Sequence, residues 1–357
     1  MFSLFKKEKK KIFVGMSGGV DSSVSAYLLK KDGYDVTGVF IRTWQPDWLP
    51  CTWTEDRESA MRVCAQLEIP FLECDAVEVY KSAVVDHMLA EYAACRTPNP
   101  DILCNQHVKF GAFLDFALAH GADTIATGHY AQNKFNINTE KWELCRGIDK
   151  TKDQSYFLWT LTQPRLQSVL FPIGHLEKKE VRKIAKRAGL HSADRKDSQG
   201  ICFLGDINMR EFLQKFYPKK KGVVLSSKGE EIGHHEGAMF YTLGERHGFM
   251  ITEKSNNDKP LYIVEKDMSK NTLTVSSDQV QSFGKQKHCL ERVSLVADEP
   301  PEAPEVQCQI RYHGELHTAN MVGDNITFSE KVLIAPGQSI VIYQGEKCLG
   351  GGIIKNT

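Results

Sequence analysis

A turn rich in glycine and serine lies near the start of this 357-residue chain, between two segments of different periodicity. The turn consists of Ser17, Gly18, Gly19, Val20, Asp21, Ser22 and Ser23. Residues 12–16 before it are mostly apolar, as in a buried strand. After it, Val24, Tyr27 and Leu28 fall on one helical face. The pattern predicts a strand, a tight loop and the N-terminus of a helix in direct succession.

This loop has the composition of a phosphate-binding turn. Glycines let the backbone approach an anion without a Cβ in the way, and the first amides and the dipole of the helix attract negative charge. The loop contains neither the GxxxxGK[ST] pattern nor the GxGxxG pattern of two common nucleotide-binding folds. The alternative interpretation is a surface turn that caps an ordinary helix.

Alternating strand and helix patterns continue through the first half of the chain. They predict a doubly wound α/β domain with a parallel sheet, whose ligands bind at the carboxyl ends of the strands. Beyond about residue 205 short strands, one of them over residues 306–312, predict a small antiparallel barrel or sandwich. We expect a catalytic α/β domain over 1–212, a small mixed linker domain over 213–283, and a C-terminal antiparallel β-barrel over 284–357.

The charge and hydropathy of the chain limit its partners and its location. The 45 basic and 45 acidic residues balance, so any RNA binding has to depend on basic clusters at residues 6–11, 178–187 and 219–221. Each cluster is also compatible with an ordinary solvated face. The apolar runs are too short to span a membrane, and the first residues are too charged for a secretory signal. We therefore expect a cytoplasmic protein.

The ten cysteines include no CxxC pair, which disfavours zinc-ribbon and iron–sulfur sites. We assign no metal ligands. In a cytosolic protein most of these thiols are expected to be reduced and buried, and Cys64 fits because it lies on an apolar helix face.

Two other cysteines lie in polar loops. Cys104 follows a segment with two rigid prolines and is predicted just before or at the start of the next helix, where the dipole favours a thiolate. Asp101, three residues upstream, is a candidate acid or base. Cys202 lies in the polar segment 194–203, near basic residues. A buried structural cysteine is the alternative for Cys104, but the two together suggest sulfur chemistry, with one thiol carrying a persulfide that the other resolves.

Two shorter segments complete the predicted site. The segment 127–130, which includes Gly128, ends a predicted strand and could touch the adenine or ribose of a nucleotide, or form a simple turn. Lys152, Asp153 and Gln154 precede an apolar helical segment and could merely begin that helix.

The chain resembles the tRNA-specific 2-thiouridylases of bacteria and mitochondria (the MnmA/TrmU family) along nearly its full length. The loop at Ser17 is itself similar to the PP-loop of enzymes that split ATP into AMP and pyrophosphate, such as the GMP, argininosuccinate and tRNA-lysidine synthetases. The matching segments are GMSGGVDSSVSAYLL, RTPNPDILCN, TGHYA, KDQSYFLW, DSQGICF, GAMFYTLGERHG and GQSIVIYQGEKCLGGGII. The cysteines in the contexts PNPDILCN and GICF are far more specific than the loop.

The resemblance implies roles for individual residues. It implies ATP binding by Gly15, Met16, Ser17, Gly18, Gly19, Val20, Asp21, Ser22, Ile41 and Gly128. It implies contact with the target uracil by Asn99, Pro100 and Asp101. It implies contact with tRNA by Lys152, Asp153, Gln154, Arg311 and Tyr312. Cys104 is implied as the catalytic nucleophile and Cys202 as the persulfide carrier, whereas Ile41 stands where many family members have methionine.

The implied reaction replaces the C2 oxygen of the tRNA wobble uridine by sulfur. ATP with Mg²⁺ adenylates this oxygen and makes it a leaving group. Sulfur from the Cys202 persulfide then gives 2-thiouridine, AMP and pyrophosphate, and the two cysteines form a disulfide. The implied partners are tRNA and a sulfur-donor or relay protein that charges Cys202.

Two other functions remain open from the sequence. A different PP-loop enzyme, such as an amidating synthetase, would need a glutaminase or an amino-acid site. A tRNA-binding protein with an inactive nucleotide site would use the barrel for its main function.

Overall fold

A computed structural model describes residues 9–49, 53–196, 208–252, 259–278, 283–301 and 303–355. The strands of its first domain are β1 Lys11–Gly15, β2 Asp35–Arg42, β3 Phe71–Asp75, β4 Thr124–Ala126, β5 Ala131–Asn136, β6 Lys141–Arg146 and β7 Val169–Leu170. Five of them form a parallel sheet in the order β3-β2-β1-β4-β7. Because β1 is the central strand, the residues that follow it lie at the middle of the carboxyl edge, where ligands bind in such sheets.

The helices of this domain cover both faces of the sheet. They are α1 Val20–Lys31, α2 Trp53–Gln66, α3 Val77–Tyr80, α4 His87–Ala93, α5 Pro100–Leu103, α6 Phe113–Ala119, α7 Gln163–Gln167 and α8 Lys178–Arg187, with a 3₁₀ turn at Ser155–Leu158. π-Helical segments at Lys81–Asp86 and Cys104–Ala112 join α3 to α4 and α5 to α6. Val14 packs in a cluster with α1 and α8, whereas Phe13 packs in a second cluster with α6. Both faces are therefore buried, as expected of parallel sheets.

The second domain is a mixed sheet preceded by a short helix. Its elements are α9 Met209–Leu213, β8 Gly222–Ser226, β9 Glu231–His235, a 3₁₀ turn at Ala238–Phe240, β10 Met250–Ile251, β11 Tyr262–Asp267 and β12 Thr272–Ser276. The strand order is β10-β9-β8-β12-β11, and β8 and β12 are parallel. Leu213 and Val224 pack in one apolar cluster with Tyr80 and Met88 of the first domain. The second domain thus shares a core with the first.

The third domain is a closed antiparallel barrel. Its strands are β13 Lys285–Leu295, β14 Glu305–Gln309, β15 Leu316–Val322, β16 Asn325–Val332, β17 Ser339–Gln344 and β18 Lys347–Ile354. They follow the order β13-β16-β15-β14-β17-β18, and pairing between β13 and β18 closes the barrel. Alternating residues such as Ile326, Phe328, Ile340 and Ile342 fill its interior.

A hairpin of the first domain extends the sheet of the barrel. Strands β5 and β6 pair with each other, and β6 also pairs with β18, where Leu144 lies opposite Cys348. Trp159 of the first domain and Tyr343 of the barrel pack in the same apolar cluster as Leu144. The two domains are therefore joined by a continuous sheet and by a shared core.

The predicted fold class is confirmed: a doubly wound parallel-sheet domain is followed by a small mixed domain and a C-terminal antiparallel barrel. The strand predicted over residues 306–312 ends earlier, at Gln309, because a turn closed by a hydrogen bond from the amide of Gly314 to the carbonyl of Arg311 follows it. Within the described ranges no helix is long and apolar enough to cross a lipid bilayer.

Candidate active site

The predicted nucleotide loop lies at the carboxyl end of β1. Gly15 ends the strand, and Gly19 is the N-cap residue of α1 with an extended backbone (φ −82°, ψ 169°). Since Gly19 has no side chain, no cap hydrogen bond occupies the first amides of α1. These amides and the positive end of a 12-residue helix suit an anion such as a triphosphate.

Two glycines are required where backbone segments approach each other around the loop. Gly18 has φ +74°, and a Cβ there would lie 2.4 Å from the carbonyl oxygen of Asp56. A Cβ on Gly128 would lie 2.8 Å from the amide nitrogen of Ser22. The structure therefore brings Gly128, which follows β4, directly against the N-terminus of α1, beside the nucleotide loop.

Side-chain hydrogen bonds fix the shape of the loop. The amide of Ser17 donates to Oγ of Ser22 at 3.2 Å. The carbonyl of Gly18 accepts from Oγ of Ser59 at 2.8 Å and from Nη1 of Arg195 at 3.0 Å. The conformation of the loop is thus held by protein contacts alone, which lowers the entropy lost when a ligand binds.

Other residues predicted to bind ATP offer backbone or apolar surface. The side chains of Met16 and Val20 are buried in the cluster that contains α1. The amide of Met16 donates to the carbonyl of Val39 at 2.7 Å, so Met16 continues the sheet and Val20 offers its amide to the loop. Ile41 is half-buried at the end of β2, and its Cδ1 would lie 3.6 Å from a Cβ on Gly15. Cε1 of Phe113 would lie 3.3 Å from the same Cβ. The helical run that carries Cys104 therefore packs next to the end of β1.

The carboxylate of Asp21 is bound by two residues outside the loop. Nζ of Lys178, the first residue of α8, donates to Oδ1 at 2.8 Å and to Oδ2 at 2.7 Å. The hydroxyl of Tyr130 also donates to Oδ1, at 2.7 Å. The sequence pattern places Tyr130 in the predicted site but indicates neither its bond to Asp21 nor the role of Lys178. The segment 127–130 was a usable signal for Tyr130, but Lys178 was indistinguishable from the other basic residues of its cluster.

The segment that carries Cys104 begins with a capped helix. Oδ1 of Asn99 accepts from the amides of Asp101 at 3.1 Å and Ile102 at 3.3 Å, and Pro100 occupies the first helical position. Cys104 lies one turn later, where the π-helical segment begins, and is 4% exposed. The prediction that Cys104 lies just before or at the helix start is therefore wrong, because the asparagine cap begins the helix four residues earlier. The dipole effect falls off within the first turn, so it is not the main influence on this thiol.

The loop that leads to this helix is anchored by the other two domains. Arg96 forms an ion pair with Glu291 of the barrel. The amide of Thr97 donates to the carbonyl of Pro336 in the barrel at 2.8 Å. Oγ1 of Thr97 lies 3.2 Å from Oγ1 of Thr242 in the second domain. We call residues 96–99 the anchored loop.

Asp101 and Tyr312 bring the first domain and the barrel together at this helix. Burial raises the pKa of Asp101, and the nearby charge of Lys109 opposes this effect. Tyr312 lies in the turn after β14, and its ring centroid is 4.4 Å from that of Phe157. Burial, together with the carboxylates of Asp153 and Asp101, raises the pKa of Tyr312 to about 12. Its hydroxyl therefore remains a proton donor at neutral pH, close to the carboxyl group of Asp101, whose pKa burial raises.

Two of the residues expected to contact tRNA have their polar atoms occupied inside the protein. The carboxylate of Asp153 accepts from the amide of Gly147 at 3.0 Å and from the hydroxyl of Ser155 at 3.1 Å, and the residue is 9% exposed. Oε1 of Gln154 accepts from the amide of Tyr130 at 3.0 Å. These side chains bind the backbone at Tyr130 and Gly147, on either side of the hairpin of β5 and β6.

The remaining predicted residues differ in accessibility. Lys152 is half-buried, whereas Arg311 is exposed in the same turn as Tyr312. Arg311 is near enough to Tyr156 of the first domain to oppose the burial that raises the pKa of its hydroxyl. Cys202 lies outside the described residues. Among the residues that are described, no group of three or more His, Cys, Asp or Glu side chains is arranged to hold a metal ion.

The parallel sheet with an uncapped helix after its central strand defines a PP-loop α/β nucleotide-binding domain. Family comparison finds the same division along the chain. The chain matches the families described as tRNA methyl transferase HUP domain over residues 10–206, tRNA methyl transferase PRC-barrel domain over 210–277 and aminomethyltransferase beta-barrel domain over 285–354.

Curated relatives match nearly the whole chain. The tRNA-specific 2-thiouridylase MnmA of Colwellia psychrerythraea is 43% identical over 369 residues, which cover 97% of this chain and 96% of that protein. The MnmA of Streptococcus thermophilus is 44% identical over 364 residues, covering 97% and 95%. The chain therefore belongs to the tRNA-specific 2-thiouridylase (MnmA) family, and the family predicted from the sequence is confirmed.

A solved structure shares part of the fold at a greater distance. The U34-tRNA thiolase NcsA from Methanococcus maripaludis, with its [4Fe-4S] cluster, aligns with a TM-score of 0.34 and 15% identity. The alignment covers 59% of this chain and 68% of that one. This likeness is too low to bear on function.

Proposed function

We propose that this protein is a tRNA-uridine 2-sulfurtransferase that uses ATP to replace the C2 oxygen of the wobble uridine by sulfur. The observation that carries the proposal is the identity of 43% and 44%, over 97% of the chain, to proteins named tRNA-specific 2-thiouridylase. This match spans nearly the whole chain and hence all three domains, so the proposal does not depend on the loop alone.

In this proposal ATP binds between β1 and α1. The amides of Gly18, Gly19 and Val20 receive phosphate oxygens, and the amide of Gly19 gives up its 3.4 Å hydrogen bond to Oγ of Ser17. Ile41 provides an apolar wall. Mg²⁺ bound with ATP would offset the negative charge of the departing pyrophosphate. Lys178 and Tyr130 hold the carboxylate of Asp21 by hydrogen bonds, so the loop would leave the coordination of such an ion mainly to the phosphates.

The first chemical step makes the uracil oxygen a leaving group. The C2 carbonyl is a poor electrophile because its oxygen leaves poorly. O2 attacks the α-phosphate, pyrophosphate departs, and the oxygen becomes part of AMP. Asn99, Pro100 and Asp101 contact the base. Asp101 is suited to hold a proton in this step, because burial raises its pKa toward the working range of an acid or base.

The second step transfers sulfur. The terminal sulfur of a Cys202 persulfide attacks C2, so that a C–S bond forms while the C–O bond to AMP breaks. The Cys104 thiolate attacks Sγ of Cys202, which breaks the persulfide bond and leaves a Cys104–Cys202 disulfide. An external thiol reductant supplies the two electrons that restore both thiols. A sulfur-donor protein then charges Cys202 again.

The tRNA reaches this site through contacts with the barrel and the first domain. The wobble base leaves its stack and enters the pocket, as bases do in enzymes that modify them. Lys152, Arg311 and Tyr312 are the proposed side-chain contacts with tRNA. Asp153 and Gln154 remain proposed contacts, although protein groups hold the carboxylate of Asp153 and the amide, the carbonyl and Oε1 of Gln154.

The two cysteines provide the direct test. Cys104→Ser and Cys202→Ser are each expected to abolish 2-thiouridine formation and to leave ATP binding unchanged, because each removes one sulfur atom from the transfer and neither lies in the nucleotide loop. Mass spectrometry of nucleosides from tRNA incubated with protein, ATP, Mg²⁺ and a persulfide donor measures the product. Cys289→Ser, which removes a half-buried thiol of β13, is the matched control and should retain activity. A normal yield from either loop variant contradicts the proposal.

The same measurement, together with an assay of AMP and pyrophosphate, decides between this function and three alternatives. Two of the matching families are described as tRNA methyl transferase domains, and methyl transfer would give a methylated nucleoside without added sulfur. An amidating synthetase would give AMP and pyrophosphate without 2-thiouridine. A binding protein with an inactive nucleotide site would give neither. The domain limits 1–212, 213–283 and 284–357 and a cytoplasmic location are retained as proposals, to be tested by limited proteolysis and by imaging of tagged protein.

A further inference from the structure

The nucleotide loop contains no lysine or arginine of its own, although a triphosphate carries several negative charges. Its one ionisable side chain is the carboxylate of Asp21, in the first turn of α1. A carboxylate beside a polyanion repels it by direct Coulomb interaction. A cation from elsewhere in the fold is therefore needed near this loop.

Lys178 is placed to supply that cation. It begins α8, which packs against α1, and its Nζ donates to both carboxylate oxygens of Asp21. The side chain of Lys178 is 14% exposed, so water screens the pair only weakly. The ring centre of Tyr130 lies 5.7 Å from this Nζ, and the Tyr130 hydroxyl donates to the same carboxylate. Two residues from separate segments thus fix the position of the ion pair.

We propose that Lys178 is a positioning residue of the ATP site, which neutralises Asp21 and so allows the loop to accept the triphosphate. The inference rests on the proposed use of ATP at this loop. Lys179, the next residue, has different surroundings, since its side chain is 70% exposed and pairs with Glu177 at the surface. The neutralisation of Asp21 therefore depends on the position of Lys178 and not on the basic cluster at residues 178–187 as a whole.

The proposal fixes an order of ATP affinities, because the variants differ in charge beside the loop. The wild-type pair is neutral, whereas Lys178→Met leaves one negative charge. The double variant K178M/D21N is neutral again. If Lys178 acts by neutralising Asp21, the double variant recovers the affinity that K178M loses. If the lysine instead contacts the phosphates directly, both variants bind weakly.

Calorimetric titration of the full chain with a non-hydrolysable ATP analogue tests this order. Chelator in place of Mg²⁺ keeps the metal out of the comparison. We expect K178M to bind at least about tenfold more weakly than the wild type, and K178M/D21N to return to within about threefold of it. Lys179→Met is the matched control for the loss of one positive charge and should bind as the wild type does.

Two results overturn the proposal: wild-type affinity in K178M, or a double variant that binds as weakly as K178M. If K178M alone does not fold, comparison of the double variant with the wild type still decides, since the double variant leaves no charge unpaired. Failure of the wild type to bind the analogue both with chelator and with Mg²⁺ counts against the proposed function itself. If the wild type and K178M bind the analogue equally well, the result counts only against the role of Lys178.

Discussion

At the scale of single residues, burial makes four of the described thiols poor nucleophiles. Burial raises the pKa of Cys64, Cys308 and Cys348 to about 12, and burial with the charge of Asp75 raises that of Cys74 to about 11. Thiols of this kind stay protonated at neutral pH and are poor nucleophiles. These four cysteines are therefore packing residues, whereas the proposed role of Cys104, which is also buried at 4% exposed, rests on its place beside Asn99 and Asp101 and not on exposure.

His129 provides a prediction at the same scale. Burial, with the charge of Lys109, holds its pKa well below the usual range, and its Nδ1 lies 2.8 Å from Oγ1 of Thr127. The unfolded chain binds a proton at this histidine near pH 6.5 and the folded chain does not, so stability is complete above that pH and is lost as the pH falls below it. We expect His129→Asn to weaken the pH dependence of the unfolding temperature between about pH 7.5 and about pH 5.

Thermal unfolding followed by circular dichroism at a series of pH values measures this effect. His175→Asn is the control, because His175 is exposed and its replacement should leave the wild-type pH dependence intact. Identical pH dependence in His129→Asn and the wild type would show that folding does not lower the pKa of His129.

At the scale of elements, the anchored loop shows how distant segments determine the geometry of the site. Nε of Arg96 donates to Glu91 at 2.7 Å within the first domain, and the same guanidinium pairs with Glu291. Gly337 of the barrel has φ +87°, and a Cβ there would lie 2.8 Å from the amide nitrogen of Thr97. The segment that leads to Asn99 is thus packed against the barrel by both charge and close backbone contact.

Arg96→Met tests this arrangement. It removes both ion pairs and leaves two glutamates without their partner, one of them largely buried. We expect a loss of about 1–3 kcal/mol in stability and a lower kcat for thiolation with unchanged ATP affinity, because the base site moves and the nucleotide loop does not. Arg42→Met, which breaks an exposed pair with Asp75, is the control and should cost less than about 1 kcal/mol. Weaker ATP binding in Arg96→Met would contradict the separation of the two sites.

The local sequence pattern predicted most elements of this molecule. It failed for one hairpin, whose partner strand is remote in sequence, and for the start of one helix, whose cap is local. The sheet, α1 and most of the barrel strands have strong periodicity and were predicted. The hairpin of β5 and β6 was missed, because its stability depends on β18, some 200 residues later, where Cys145 lies opposite Lys347. The position of Cys104 was missed for a local reason, since the cap formed by Asn99 was overlooked.

At the scale of the whole molecule, the first domain and the barrel form one structural unit. Gly351 of β18 packs so closely on the first domain that a Cβ there would lie 3.0 Å from Cδ2 of Trp159. The hydroxyl of Tyr343 lies 3.1 Å from Oγ of Ser155. Polar and apolar contacts therefore both join the first domain to the barrel, and each domain buries apolar surface against the other.

Removal of residues 284–357 tests this unity. The shortened chain exposes Leu144 and Trp159, which the barrel covers in the full chain, so we expect a lower unfolding temperature and binding of a hydrophobic dye. The full chain is expected to unfold the first domain and the barrel in one calorimetric transition. A shortened chain with wild-type unfolding temperature and no dye binding would mean that the first domain is independent.

The pairing of β6 with β18 has a consequence for substrate choice under the proposed function. One sheet runs from β14, which precedes the turn of Arg311 and Tyr312, to the hairpin of β5 and β6 in the first domain. The distance between the proposed tRNA contact at this turn and the proposed uracil site at Asn99 is therefore fixed. The protein then works as a gauge of length. It accepts an RNA whose everted base can span this distance and rejects an RNA whose base cannot reach the uracil site, whatever its sequence.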